Sequence, residues 1–126
     1  VWGIYRHIFL LYSKFMGLVT SSASTNNHNL YFSKDELAKI LNIYSKGVSR
    51  GEWKDYAIDF NKNNAFFYIF KHSLAAPECI LNKSLERKKR KIFYKLKCKN
   101  INNRFESLDT LIQALNRKNF KLIKNQ

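Results

Sequence analysis

The run Ala65 to Lys71, A-F-F-Y-I-F-K, constrains this chain more than any other stretch. Apolar side chains fill both alternating sets of positions, so as a strand it has no wet face. Left open to solvent, A-F-F-Y-I-F would pair with copies of itself. The run therefore reads as an interior strand of a sheet, covered on two sides. Its partner lies just before it. Tyr56, Ile58 and Phe60 alternate with Ala57 and Asp59, and Asn61-Lys62-Asn63-Asn64 is turn chemistry, because asparagine tolerates positive φ. The two runs predict a hairpin.

A helix precedes the hairpin. Ser33 is a candidate N-cap and Glu36, three residues on, completes a capping box. Phe32 and Leu37 flank the cap as a hydrophobic staple. Leu37, Ile40, Leu41, Tyr44 and Val48 then mark one face at helical spacing. Gly51 is placed to end the helix in a left-handed conformation, although Gly47 offers a stop one turn earlier.

After the Ala75-Ala76-Pro77 break, Cys79 to Lys83 is a short, weakly signalled strand and Leu85 to Arg90 a charged connection. Lys91 to Lys99 alternates well. Ile92, Tyr94, Leu96 and Cys98 point one way; Lys91, Lys95, Lys97 and Lys99 point the other, with Phe93 among them. Asn100 to Arg104 reads as a loop. Ser107 caps a last helix, with Asp109 in its first turn and Leu108, Leu111, Ile112 and Leu115 as its buried stripe. Phe120, Leu122 and Ile123 read as a tail that packs back. The order predicts an α+β, two-layer α-β-β-β-β-α domain over residues 30–124, a four-stranded antiparallel sheet with both helices packed on one face. At 126 residues one domain with its own core is the expectation.

Residues 1–29 read as an N-terminal extension or linker. Three readings fit residues 1–20. They are an upstream extension of a chain that starts at Met16 rather than Val1, an interfacial helix through Trp2, Tyr5, Phe9, Tyr12, Phe15 and Val19, or a signal peptide, which Lys14 opposes. No run reaches the length of an integral membrane segment.

The segments F-S-K-D-E-L-A-K-I-L-N-I-Y, G-E-W-K-D-Y-A-I-D and A-F-F-Y-I-F together resemble a bacterial family catalogued as domain of unknown function 2794. That family shows F-x-R-x-E-L-x-x-I-L-x-x-Y, then G-E-W-R-D-Y-A-I-D, then an apolar strand. The likeness is good over residues 31–72 and holds in pattern over residues 75–118. It implies a fold and a lineage but no reaction, since no activity is attached to the family. This chain departs from the pattern in its lysine density.

Charge supplies the first functional argument. Residues 1–80 carry nine Lys/Arg and six Asp/Glu, net +3; residues 81–126 carry fourteen and three, net +11, which accounts for the total of +14. The asymmetry favours an anionic partner, with RNA or a ribonucleoprotein ahead of an acidic protein or a membrane surface. Arg87, Lys88, Lys89, Arg90 and Lys91 lie in the connection, and Lys95, Lys97 and Lys99 continue as a stripe. Cations along one strand face meet successive phosphates, and Tyr68 or Phe93, where exposed, can stack on bases. The bland reading is a solvated basic loop, since seventeen lysines and fourteen asparagines are also what an A/T-rich genome writes. The element order is near that of a double-stranded RNA-binding domain, by fold analogy only.

The second candidate is an interaction patch of Glu52, Trp53, Asp55, Tyr56 and Asp59. On a strand Asp55, Ala57 and Asp59 share a face, with about 7 Å between successive members, and the two carboxylates are candidates for an acid–base pair. The structural reading of the same residues is stronger: the carboxylates pair or cap, and Trp53 closes the core. No catalytic site, no metal site and no cofactor is expected. Cys79 and Cys98 lack ligand spacing, and a reduced, cytoplasmic, non-enzymatic protein is the simplest reading. The oligomeric state is not legible.

Overall fold

The computed structural model of the chain describes residues 29–72 and 74–124. The expectations on residues 1–28, including the interfacial helix and the signal peptide, lie outside the described residues. The elements are α1 (Lys34–Ser49), β1 (Asp55–Phe60), β2 (Asn64–Phe70), β3 (Cys79–Glu86), β4 (Lys91–Cys98), β5 (Ile101–Phe105) and α2 (Leu108–Lys124). All five strands pair antiparallel in the order β1-β2-β3-β4-β5, a meander in which each strand lies beside its neighbour in sequence. The α+β class stands, but the sheet has five strands and not four.

The extra strand is β5, where a loop was expected. Its sequence I-N-N-R-F puts apolar residues only at its ends, and its three central residues are exposed. Asn-Asn normally signals a turn, but here the ladder with β4 supplies the hydrogen bonds that side-chain pattern does not advertise. β3 is also longer than expected and runs to Glu86, so the basic connection shrinks to the turn Arg87–Arg90. At the other end, the backbone of 120–124 continues α2, where a tail was expected to pack back.

α1 starts as its sequence dictates. Ser33 Oγ accepts from the Glu36 N–H at 3.1 Å, and the Glu36 carboxylate accepts from the Ser33 N–H at 2.7 Å. The staple residues Phe32 and Leu37 are both buried. The helix ends in a Schellman arrangement, with Gly51 N–H on Val48 O at 3.0 Å and Glu52 N–H on Gly47 O at 2.9 Å. Gly51 carries the left-handed φ of 76° that closes it. Gly47 stays inside the helix and has a different duty: the Trp53 ring lies where its side chain would be, with Cδ2 at 2.6 Å from an ideal Cβ.

The β1–β2 turn works by a different route from the expected one. Asn61 Oδ1 accepts from the N–H groups of Asn63 and Asn64 at 3.0 and 2.9 Å. Among the described residues only Arg90, of the non-glycines, has positive φ, so side-chain capping and not left-handed backbone makes this turn.

One face of the sheet holds the core. Tyr56, Ile58 and Phe60 of β1 register with Ile69, Phe67 and Ala65 of β2, and those with Cys79, Leu81 and Lys83 of β3. Tyr94, Leu96 and Cys98 of β4 and Ile101 and Phe105 of β5 complete it. Leu37, Ile40, Leu41, Ile43 and Tyr44 of α1 and Leu108, Leu111 and Leu115 of α2 pack with these residues in one cluster. Both helices therefore contribute to the core on this face. Cys79 and Cys98, opposite one another with Cα atoms 4.4 Å apart, form a disulfide, which corrects the expectation of two reduced thiols. Direct cross-strand opposition brings their sulfurs together, a relationship that spacing in sequence does not reveal.

Candidate nucleic-acid interface

The opposite face follows from the same register. Phe66, Tyr68 and Phe70 of β2 point away from the core, and none of them belongs to its cluster. Their positions alternate half-buried with fully buried, so β2 is interior within the sheet but covered on only one of its two faces by described residues. The expected cover on the second side is not supplied by any described residue. The physical reason is neighbour shielding: Phe66 and Tyr68 stack on each other, with centroids 5.7 Å apart and planes 19° from parallel. β1 and β3 also flank the strand and remove its edges.

Two rows cross this open face. Asp59, Phe66, Asn82, Lys95 and Arg104 form one; Ala57, Tyr68, Ile80, Lys97 and Asn102 form the next. The face is thus acidic at the β1 edge, aromatic at β2 and basic at β4 and β5. Lys95, Lys97, Asn102 and Arg104 are all exposed. Phe93 is not: only 8% of it remains accessible, because the Arg104 guanidinium lies 3.7 Å from its ring centroid and the Lys95 ammonium 5.4 Å from it. Phe93 holds cations in place, and the rings left on this face are Phe66, Tyr68 and Phe70. Sequence reasoning missed Arg104 by placing it in a loop. The apolar ends of Ile101–Phe105 were the available signal.

The other cations fall into two groups. Lys91 is paired with Glu106 at 3.0 Å, and that contact holds the Glu106 carboxyl below its ordinary value. Arg87 donates to Asn63 Oδ1 at 2.7 Å. Lys88, Lys89, Arg90, Lys97 and Lys99 are exposed, and their side chains make no hydrogen bond or ion pair with another described residue. Arg90 sits at φ 48°, in the left-handed region that asparagine or glycine occupies more cheaply.

The acidic and aromatic patch takes up structural roles. Trp53 is 3% exposed and stacks on Tyr44, with centroids 6.2 Å apart, so it has almost no surface to offer a partner. Tyr56 packs against Phe67 and Tyr44. Burial, ahead of the nearby Asp55 charge, raises the hydroxyls of both tyrosines, that of Tyr44 to about 12. Asp55 and Asp59 accept from the N–H groups of Tyr56 and Phe60 at 2.8 and 2.9 Å on the edge strand β1. Glu52 accepts from Arg50 Nε at 3.3 Å.

One buried polar cluster has no counterpart in the sequence reading. Lys83 points into the core face of β3 and donates to Glu36 Oε1 at 2.7 Å and to the Tyr31 carbonyl at 2.9 Å. The Tyr94 hydroxyl donates to the other Glu36 oxygen through a short contact. Burial alone would raise the Glu36 carboxyl. Lys83, the Ser33 N–H and Tyr94 outweigh it and hold the group below the ordinary carboxylate value. Burial, then Glu36, pushes the Tyr94 hydroxyl well above the ordinary phenol range. The cluster bolts the start of α1 to β3 and β4.

Among the described residues no helix is long and apolar enough to cross a membrane. No group of three or more His, Cys, Asp or Glu that could hold a metal ion occurs among them either. Comparison with curated proteins and with solved structures gives no match. Residues 30–102 match a family model, which spans α1 through the start of β5 and reproduces the likeness read from the three sequence segments. On that match, which takes in more than half of the chain, the protein belongs to the family described as protein of unknown function, DUF2794.

Proposed function

We propose that this chain is a non-enzymatic binding domain that contacts RNA or a ribonucleoprotein. Its contact surface is the turn Arg87–Arg90 together with Lys91, Lys95 and Lys97 of β4 and Lys99 in the turn after it. One observation carries the reading: Lys88, Lys89, Arg90, Lys97 and Lys99 are exposed and lack acidic partners among the described residues. Unpaired cations release counterions when they meet phosphates, which is the main source of sequence-independent affinity. Lys91 contributes less, being engaged with Glu106. Burial of Trp53 weighs against a protein-docking role centred on that residue.

The test is affinity purification of the tagged full chain, with and without nuclease, beside the variant with Arg87, Lys88, Lys89 and Arg90 changed to Ala. RNA recovery should be lost with nuclease and sharply reduced in the variant. Unchanged RNA recovery by the variant refutes the reading. A partner that survives nuclease but needs the four cations identifies an acidic protein instead.

A further inference from the structure

We infer that the open sheet face takes a single-stranded nucleic acid, with bases stacked on Tyr68 and Phe66 and the backbone running over Lys95, Lys97 and Arg104. The inference rests on the reading just given and specifies the strandedness and the pose of its ligand.

Three features of the face lead to it. First, Phe66 and Tyr68 present half-buried rings on a face that no described element covers. The Tyr68 hydroxyl makes no hydrogen bond with another described residue. Second, the register puts Lys95 in the row of Phe66 and Lys97 in the row of Tyr68, each two strands away. Two strand spacings are roughly 10 Å, so each ring has its own cation to one side. Between them lie Asn82 and Ile80, with Asn82 held by Asn64 and by the carbonyls of Ala65 and Lys83. Third, the face is polarised. Asp55 and Asp59 line its β1 side and repel phosphate, whereas Lys95, Lys97 and Arg104 line its β4–β5 side. The chain of phosphates is therefore directed to β4 and β5 and the bases toward β2. Arg104 is already oriented there by the Phe93 ring beneath it.

Strandedness follows from the rings. A base offers its flat face to an aromatic side chain only when it is unstacked, and in a duplex those faces are covered. Stacking on one ring contributes roughly 1–3 kcal/mol by alanine substitution, which is about 5- to 150-fold in affinity. Cations alone would bind duplex and single strand without using Phe66 or Tyr68 at all.

The experiment is fluorescence anisotropy of the full chain with a labelled mixed-sequence single-stranded RNA and with the duplex of the same length, at low salt. Tyr68→Ala should weaken single-strand binding by about 5-fold or more and leave duplex binding unchanged, while Tyr68→Phe keeps both. Circular dichroism and thermal unfolding establish that each variant is folded. If Tyr68→Ala does not fold, ultraviolet cross-linking of the unaltered protein to thiouridine-substituted single strand, read by mass spectrometry, replaces it. The cross-linked peptide should then contain Phe66 or Tyr68. Single-strand binding that is indifferent to Tyr68→Ala, or cross-links that avoid β2, overturn the inference while leaving the cationic contact standing. Failure of the unaltered protein to bind either RNA removes both readings.

Discussion

Lys83 Nζ lies 2.7 Å from Glu36 Oε1, joining the first turn of α1 to the centre of the sheet across 47 residues of sequence. Both side chains are largely buried, at 9% and 14% exposure. Removing one partner leaves the other charge uncompensated inside the protein, which typically costs about 3–5 kcal/mol. Glu36→Ala should therefore lower stability by about that amount in denaturant unfolding. The double change Glu36→Gln with Lys83→Met should lie closer to the unaltered protein than Glu36→Gln does, because it removes both charges.

The same carboxylate sets an acid limb. Its folded value lies below its ordinary one, so its contribution to stability is complete above the unfolded value near 4.5. That contribution falls away as pH drops through the lowered folded value. Unfolding midpoints of the unaltered protein should decline as pH falls from about 4.5 through the lowered folded value, and this part of the decline should be missing in Glu36→Gln. An identical acid profile for the two would show that Glu36 is not the group responsible.

Gly47 and Gly51 should respond oppositely to what helix propensity alone suggests. Alanine inside a helix is favoured over glycine by roughly 1 kcal/mol. At Gly47 a Cβ meets the buried Trp53 ring, and overpacking of that kind costs about 1–3 kcal/mol or more. Gly47→Ala should therefore destabilise, and Trp53→Phe should partly restore it. Gly51→Ala meets nothing within 4 Å and changes only a backbone at φ 76°, so its loss should stay near 1 kcal/mol. Thermal unfolding of the three variants separates a packing clash from a backbone effect.

The Cys79–Cys98 disulfide closes a sequence separation of 19 residues. Loops of about that length are stabilised by roughly 3 kcal/mol in the chain-entropy account. Protein purified without reductant should show no free thiol after denaturation, and reductant should lower its unfolding midpoint. Two titratable thiols under those conditions would contradict the pairing.

Local chemistry is what made much of this fold legible. The Ser33–Glu36 box, the Phe32–Leu37 staple, the left-handed Gly51 and the alternation in β1 and β4 are written in neighbouring residues, and each holds. What escaped depends on residues far apart. Lys83 looks like a surface lysine until register turns it toward Glu36. Cys79 and Cys98 look unrelated until β3 and β4 align. β5 has too few apolar positions to announce itself, and Arg104 was hidden with it. The lysine stripe of β4 was legible because alternation assigns it to one face. That no described residue covers this face beside Phe66 and Tyr68 was not, because A-F-F-Y-I-F reads as doubly covered when only its own composition is considered.

The most direct test of phosphate contact on the open face is the salt dependence of RNA binding, measured for the unaltered chain and for the variant with Lys95 and Lys97 changed to Gln. For single strands, the logarithm of the binding constant falls with the logarithm of salt concentration by about 0.7 per neutralised phosphate. Two lost contacts should therefore make the slope shallower by roughly 1.4, with the fold unchanged by circular dichroism. A slope that stays the same in the variant would mean that Lys95 and Lys97 touch no phosphate, and the assignment of this face would be wrong.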